Sequence, residues 1–480
     1  MKIAAVALSL SLAVPFTAAT AQTPAATATQ ASGAPVTGAV TGVWIGVLSG
    51  AGIQIHLVFH IAGTPSALTT TFDSPDQGAT GLPTASTTLE GEKITIDAPK
   101  PGIRYTGRFN AEHTVIDGTL TQGGQDLSLK LLPATKAELT GPNRPQTPKP
   151  PFPYRAEDVS FTNATAGDTL AATLTLPPGK GPFPAVLLIA GSGPQHRDEE
   201  IFHHKPMALL ADTLTRRGFA VLRYDKRGTG KSTGDFRSAT TQDFASDADA
   251  ALAYLRSRPE IETTHISLLG HSEGGVIAPI LAAEHPQEIN AIVLLAGPGL
   301  QGSEVISTQV EAITRSGGAN KEQVDAVGEK ERKMLAIDMK PATAEARRAA
   351  LEAVLAGQGG PEQIAGAIAQ LTSPWFLYYI AYDPAPTLRR VQCPVLALDG
   401  SLDAQVVAAP NLAAIRAALQ AGGNHHVEAV EMPGLNHLFQ HAESGSPTEY
   451  ATIEETMSPE VLAKVSDWLL AQPPVHAAAK

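Results

Sequence analysis

The stretch HISLLGHSEGGVIAPILAAEH (residues 265–285) decides the fold. Its first apolar run, Ile266–Leu269, reads as a buried strand, and the run from Val276 to Glu284 as a helix. Only Gly270-His271-Ser272-Glu273-Gly274 lies between them. A strand that passes into a helix over so few residues needs a tight, strained turn. The G-x-S-x-G spacing supplies one, because glycines on either side let the backbone close up and lift the central serine above the sheet edge. A serine that merely caps a helix would not explain the pattern around it.

That pattern extends in both directions. Upstream, DVSFTN (158–163) and TLAATLTLP (169–177) read as an opening hairpin and FPAVLLIAG (183–191) as a buried strand. KPMALLADTLTRRG (205–218) then reads as an amphipathic helix, FAVLRYD (219–225) as a strand and DFASDADAALAYLRSR (243–258) as a helix. INAIVLLAG (289–297) follows the turn as another strand. From about Gly299 to Pro386 the strand signal gives way to charged helical segments such as NKEQVDAVGEKERKMLA (320–336), which suit a helical cap. Strands resume at CPVLALDG (393–400) and HHVEAVEMPG (425–434), and a helix closes at SPEVLAKVSDWLLAQ (458–472). Continuous apolar strands alternating with helices predict a mostly parallel sheet covered on both faces, with its reactive loops at the carboxyl ends of the strands.

The first third of the chain has a different period. GVWIGVL (42–48), IQIHLVFHI (53–61), LTTTFDS (68–74), KITIDA (93–98), YTGRFN (105–110) and LSLKLL (127–132) alternate residue by residue, with turn residues between them. This predicts a small antiparallel β-barrel or sandwich over residues 42–135. The proline-dense GPNRPQTPKPPFPY (141–154) marks residues 136–154 as a linker. The expected catalytic domain is residues 155–298 and 387–480, with the cap over 299–386.

At the start, MKIAAVALSLSLAVPFTAATAQTPAA has a basic Lys2, an apolar run and a small-residue site at Ala19-Thr20-Ala21. Residues 1–21 therefore read as a signal peptide and 22–41 as a flexible tract, so the protein is expected to be exported to the periplasm or the medium. No later apolar run is long enough to span a bilayer. A formal net charge of −12 with scattered basic residues argues against a nucleic-acid partner. Cys393 is the only cysteine, so no intrachain disulfide forms.

A serine hydroxyl needs an imidazole to take its proton and a carboxylate to orient that imidazole. The chain supplies them after the serine, in the order acid then histidine. Asp403 lies in the loop after CPVLALDG, and His437 follows HHVEAVEMPG. Asp399 sits closer to its strand and is less free to reach across. His425 and His426 precede their strand and lack a metal-ligand pattern, and His203 and His204 are better read as structural. Two backbone N–H groups should receive the oxyanion: that of Glu273, and that of Ser192 in AGSGPQHRDEE (190–200). This loop lacks the third glycine of a dinucleotide fingerprint. YDKRGTGKST (224–233) has Asp225 where a P-loop needs its first glycine, so no nucleotide is expected there either.

The stretches IAGSGPQHRDEE, HHKPMALLADTLTRRGFAVLRYDKRGTGKSTGDF, LLGHSEGG, PVLALDGSLDAQV and GLNHLFQ, in this order, resemble serine esterases of the α/β-hydrolase superfamily. Within that superfamily the chain resembles bacterial exported carboxylesterases that carry an extra N-terminal β domain. The resemblance implies an α/β-hydrolase fold, with Ser272 as nucleophile, His437 as base, Asp403 as its partner, and the Ser192 and Glu273 N–H groups as oxyanion hole. It also makes YDKRGTGKST a structural turn, with Asp225, Arg227 and Ser232 tied in hydrogen bonds. The expected activity is hydrolysis of short to medium acyl esters, with no cofactor or metal and a small-molecule ester as partner. A homodimer is left open. Two other readings stand beside it. One is a prolyl-oligopeptidase-like peptidase or aminopeptidase, which would usually carry tyrosine at position 273 and a propeller larger than this domain of about ninety residues. The other is a non-catalytic binding protein built on the same scaffold. The aromatic run SPWFLYYIAYDPAP (373–386) either walls an acyl pocket or packs the cap onto the core.

Overall fold

The computed structural model describes residues 40–50, 53–77, 79–98, 102–122, 125–135, 143–340, 342–358 and 360–475. The expected signal peptide, nearly all of the tract after it, and residues 136–142 of the linker lie outside the described residues.

Nine strands make the first sheet: β1 (Gly42–Gly50), β2 (Ile53–Thr64), β3 (Ala67–Ser74), β4 (Ala79–Pro83), β5 (Ser86–Glu90), β6 (Lys93–Ala98), β7 (Ile103–Phe109), β8 (Ile116–Gln122) and β9 (Gln125–Pro133). Their order is β2-β1-β9-β8-β7-β6-β5-β3-β4, and a further β2–β3 pairing closes the sheet into an antiparallel barrel. Alternate residues point inward, as the period-two pattern requires. Trp44, Phe59, Phe72, Tyr105, Ile94 and Leu129 are among those that fill the interior. The Tyr105 hydroxyl is satisfied there, lying 3.1 Å from the Ile116 carbonyl and 3.2 Å from that of Leu129.

The second sheet contains β10 (Arg155–Asn163), β11 (Asp168–Leu176), β12 (Phe183–Ile189), β13 (Ala220–Tyr224), β14 (Ile261–His271), β15 (Ile292–Leu295), β16 (Val395–Gly400) and β17 (Val427–Met432). It runs β10-β11-β13-β12-β14-β15-β16-β17. The hairpin β10–β11 and the β11–β13 pair are antiparallel, and every later pair is parallel. This is the α/β-hydrolase fold. Helices cover both faces, and the strand residues divide between them by pleat. Leu187, Leu222, Leu268 and Leu294 pack under α2 (Thr241–Ser257) and α3 (Gly274–Glu284). Their neighbours Val186, Val221, Leu269 and Val293 face α1 (Pro206–Arg216) on the other side. Burial on both faces is why these strands read as continuous apolar runs.

Between β15 and β16 lie α4 (Gly302–Ser316), α5 (Lys321–Asp338), α6 (Ala344–Leu355), α7 (Pro361–Leu371), α8 (Pro374–Ala381) and the short α9 (Ala385–Leu388). Apart from α9 they share a small core of their own around Ile306, Leu335, Leu351, Ile368 and Phe376. After β16 come α10 (Ala408–Ala421) and, following β17, α11 (Pro459–Leu470), whose Val461, Val465 and Leu469 face the same side as α1.

The turn after β13 is tied down. Asp225 is buried and accepts from the Arg197 guanidinium at 2.9 Å, while the Ser232 hydroxyl donates to its carbonyl at 2.7 Å. Arg227 pairs with buried Asp247 at 2.7 Å. Asp225, Arg227 and Ser232 are thus absorbed into the scaffold, and YDKRGTGKST braces the loops beneath the elbow.

Candidate active site

Ser272 lies at the junction of β14 and α3 with φ +53°, a left-handed conformation rare for a residue with a side chain. Its own N–H donates to the Leu295 carbonyl on β15 at 2.9 Å. The flanking glycines are required by contact: a Cβ on Gly270 would sit 1.9 Å from the Gly274 carbonyl oxygen, and one on Gly274 would sit 2.1 Å from that of Ile189. No larger residue fits either place without the turn opening.

Asp403 and His437 arrive from the ends of β16 and β17. Asp403 Oδ1 accepts the N–H groups of Gln405 at 2.7 Å and Val406 at 2.8 Å, which fixes the carboxylate, and Oδ2 lies 2.6 Å from His437 Nδ1. Both residues are buried. The loop carrying His437 is shaped by Asn436, whose Oδ1 accepts from the N–H groups of Leu438 and Gln440, each at 3.0 Å. With Nδ1 committed to Asp403, Nε2 is the nitrogen left to exchange a proton.

Asp399 does not reach His437. It is fully buried, its Oδ1 accepting from Gly400 N–H at 2.8 Å. Burial, reinforced by the Asp403 charge beside it, raises it well above its ordinary value, which favours the neutral carboxyl.

A narrow cavity opens over the elbow. Ser192, Ser272 and Glu273 form its floor, Val305, Ile306 and Gln309 of α4 one wall, and Trp375 and Tyr379 of α8 another. Gln405 and Val406, next to Asp403, complete it. The N–H groups of Ser192 and Glu273 meet no acceptor among the described residues, whereas that of Gly191 donates to Glu199 Oε1 at 2.7 Å. Of Gly191 and Ser192, it is Ser192 whose N–H is uncommitted, and Ser192 lines the cavity. Within the aromatic run, Trp375 and Tyr379 line this cavity, Phe376 packs inside the cap, and Trp375 and Tyr382 pack against the core of the main sheet.

The Glu273 carboxylate is engaged below the cavity. It is almost fully buried and pairs with Lys226 at 2.8 Å, and it accepts from the Thr241 hydroxyl at 2.8 Å and the Trp375 indole at 2.6 Å.

Sequence reasoning missed Glu199 and His271. Burial alone would lower His271, but the Glu199 carboxylate beside it, the His437 carbonyl and the Asp403 charge together outweigh that and raise it above its ordinary value. The signal was present as a titratable residue inside the G-x-S-x-G turn and an acidic pair at the end of the loop after β12, both of which need partners when buried. His204 is structural. It is fully buried against the Thr456 hydroxyl at 2.9 Å and the Tyr450 carbonyl at 3.0 Å, and burial lowers it to about 4. His425 and His426 lie just before β17, away from this edge. Among the described residues no cluster of three His, Cys, Asp or Glu side chains could hold a metal, and no helix is long and apolar enough to cross a membrane.

The sequence profile of the family described as X-Pro dipeptidyl-peptidase (S15 family) matches residues 166–432. Esterase EstD of Thermotoga maritima is 25% identical over 385 residues, which cover 80% of this chain and 82% of that protein. Esterase FrsA of Klebsiella pneumoniae is 28% identical over 32% of this chain and 34% of its own length. Among solved structures, Est1E from Butyrivibrio proteoclasticus with bound ferulic acid aligns with 65% of this chain and 98% of its own, at 18% identity and a TM-score of 0.41.

Proposed function

This chain belongs to the X-Pro dipeptidyl-peptidase (S15) family, whose profile covers more than half of it, and on that premise we propose that it is a serine carboxylesterase acting through Ser272, His437 and Asp403. The observation that carries the reading is the 2.6 Å contact between Asp403 and His437 on the sheet edge that also displays Ser272. In the first step Ser272 Oγ attacks the ester carbonyl carbon while His437 Nε2 takes the hydroxyl proton. The oxyanion is received by the N–H groups of Ser192 and Glu273. The C–O bond to the alcohol then breaks, His437 returns its proton to the departing alkoxide, and Ser272 carries the acyl group. Water, deprotonated by His437, repeats the attack and frees the acid and the serine.

The family description favours a second reading, release of N-terminal dipeptides. Such an enzyme must hold the substrate's free α-ammonium, which calls for an unengaged carboxylate in the pocket. Among the described residues Glu273 is the one acid lining the cavity, and Lys226, Thr241 and Trp375 already occupy it. This supports an ester, whose recognition needs no such charge, and the name of the EstD relative agrees. The narrow cavity suits short to medium acyl chains.

The test is hydrolysis of p-nitrophenyl esters of graded acyl length against Ala-Pro-p-nitroanilide, with wild type and Ser272→Ala. Ester cleavage lost in Ser272→Ala, with little anilide cleavage, is expected. Efficient anilide cleavage without ester cleavage would establish the peptidase reading, and activity surviving in Ser272→Ala would remove Ser272 as nucleophile.

A further inference from the structure

His271 stands between Gly270 and Ser272, buried, and each of its ring nitrogens meets an acceptor. Nδ1 lies 3.0 Å from Glu199 Oε1, and Nε2 lies 3.0 Å from the main-chain carbonyl oxygen of His437. The same Glu199 oxygen accepts the Gly191 N–H at 2.7 Å. A neutral imidazole has one N–H and satisfies one of these acceptors; an imidazolium satisfies both. The two rings, His271 and His437, are 4.8 Å apart at their centroids.

We propose that Glu199 and His271 are positioning residues for the hydrolytic reaction, a buried carboxylate–imidazolium pair that holds the oxyanion loop and the main chain of His437 in register around Ser272. The inference rests on the esterase reading above. Glu199 grips the loop just before the Ser192 donor, His271 grips the backbone of the base, and the two grip each other. Around the pair the surroundings are mostly apolar, with Met207, Leu210, Leu295, Leu438 and Met457 at hand. The charged or titratable groups facing His271 are Glu199 from the oxyanion loop, His437 from the loop after β17 and Asp403 from the loop after β16. Glu199 also holds a left-handed backbone, φ +52°, which a residue with a side chain adopts only when its contacts compel it.

The arrangement makes a specific demand on Glu199→Gln. The atom facing both Gly191 N–H and His271 Nδ1 must remain an oxygen, so Nδ1 must keep its proton. With no full charge to hold a second one, Nε2 loses its proton and turns a lone pair toward the His437 carbonyl. The base is then freed from its anchor although no group that touches substrate has changed.

The experiment measures steady-state p-nitrophenyl acetate hydrolysis by wild type, Ser272→Ala, Glu199→Gln and His271→Gln, with circular dichroism as the check on folding. A misplacement near 1 Å costs about 100-fold, so kcat should fall about 10- to 100-fold in Glu199→Gln and His271→Gln while KM stays within about threefold. Nitrogen-15 NMR of histidine-labelled wild type, which needs no variant to fold, should show both His271 ring nitrogens protonated at pH 7. A singly protonated His271, or folded Glu199→Gln with kcat within about twofold of wild type, would overturn the inference. Ser272→Ala separates the two failures: an inactive Ser272→Ala beside a fully active Glu199→Gln removes only the positioning role, whereas an active Ser272→Ala removes the esterase reading beneath it.

Discussion

The indole N–H of Trp375 donates to Glu273 Oε1 at 2.6 Å, and this bond joins the cap to the residue that follows Ser272. The same carboxylate gathers Lys226 from the turn after β13 and Thr241 from the start of α2. Three separate segments therefore converge on a side chain whose own N–H is the proposed oxyanion donor. The cavity wall and the proposed oxyanion donor are thus tied to one side chain.

Trp375→Phe should uncouple them. The ring volume is largely kept, but a hydrogen bond to a charged acceptor worth about 1.5–3 kcal/mol is lost. We expect KM for p-nitrophenyl butyrate to rise by about three- to tenfold, with a smaller change in kcat, because α8 loses its tether while Lys226 and Thr241 still hold Glu273. Steady-state kinetics over an acyl-length series checks this, and an unchanged KM across the series would contradict it.

Lys226→Met should be a folding defect first. Lys226 and Glu273 are both nearly inaccessible, so removing the cation strands a buried carboxylate, at a cost of about 3–5 kcal/mol. Thermal denaturation should show a melting point about 10 °C lower. Adding Glu273→Gln to Lys226→Met should recover part of the loss, since the stranded charge is gone; a double variant no more stable than the single would show that the penalty lies elsewhere.

The elements that the sequence revealed are those whose burial imposes a period. β12, β14 and β16 are covered on both faces and appear as VLLI, ISLLG and VLALDG, and the barrel strands β1, β2 and β7 alternate visibly. β4, β5 and β8 were not legible: ATGLP, STTLE and IDGTLTQ are rich in Thr and Gly and turn few large side chains inward. Their place is fixed by pairing with neighbours already positioned. The same limit applies at the site. Ser272, Asp403 and His437 could be named because strand ends and chain order constrain them. Glu199 and His271 are held by each other across the gap between a loop and a turn, and Gln309 reaches the cavity from the cap, relations that no local spacing encodes.

Asp399→Asn should stabilise the protein increasingly as pH rises. Asp399 has a folded-state value raised well above 3.8, so its favourable contribution is complete below the unfolded value and is lost as pH climbs through the folded one. Folding takes up a proton in that window, which lowers stability by about 1.4 kcal/mol per pH unit for a single group. An amide reproduces the neutral carboxyl at every pH. Melting curves of wild type and Asp399→Asn should agree near pH 3.5 and diverge above it, in favour of the variant. Curves that stay parallel up to pH 8 would mean that Asp399 ionises without cost in the folded state.

The cap should loosen between pH 5 and 8. On α5, burial pushes Glu331 up to about 7, against the opposing pull of Lys330, and pushes Asp338 up to about 6, against that of Arg347. Glu331 Oε2 and both Asp338 carboxylate oxygens have no hydrogen-bond partner among the described residues, so their ionisation is opposed by burial and offset only by the nearby charges of Lys330 and of Arg347, the latter 3.7 Å from Asp338. Both folded values are raised above the ordinary 4.5 and 3.8, so their contribution to stability is complete below pH 4 or so and is lost as pH rises through about 6 and then about 7. The helix that suffers packs on α4, which carries Val305, Ile306 and Gln309 into the cavity. Amide exchange in α4 and α5, corrected for the intrinsic pH dependence, should therefore speed up between pH 5.5 and 8, and KM should rise with it. Glu331→Gln combined with Asp338→Asn removes both titrations and should flatten the two responses together; corrected exchange that is the same at pH 5.5 and 8 in wild type would show that these acids do not govern the cap.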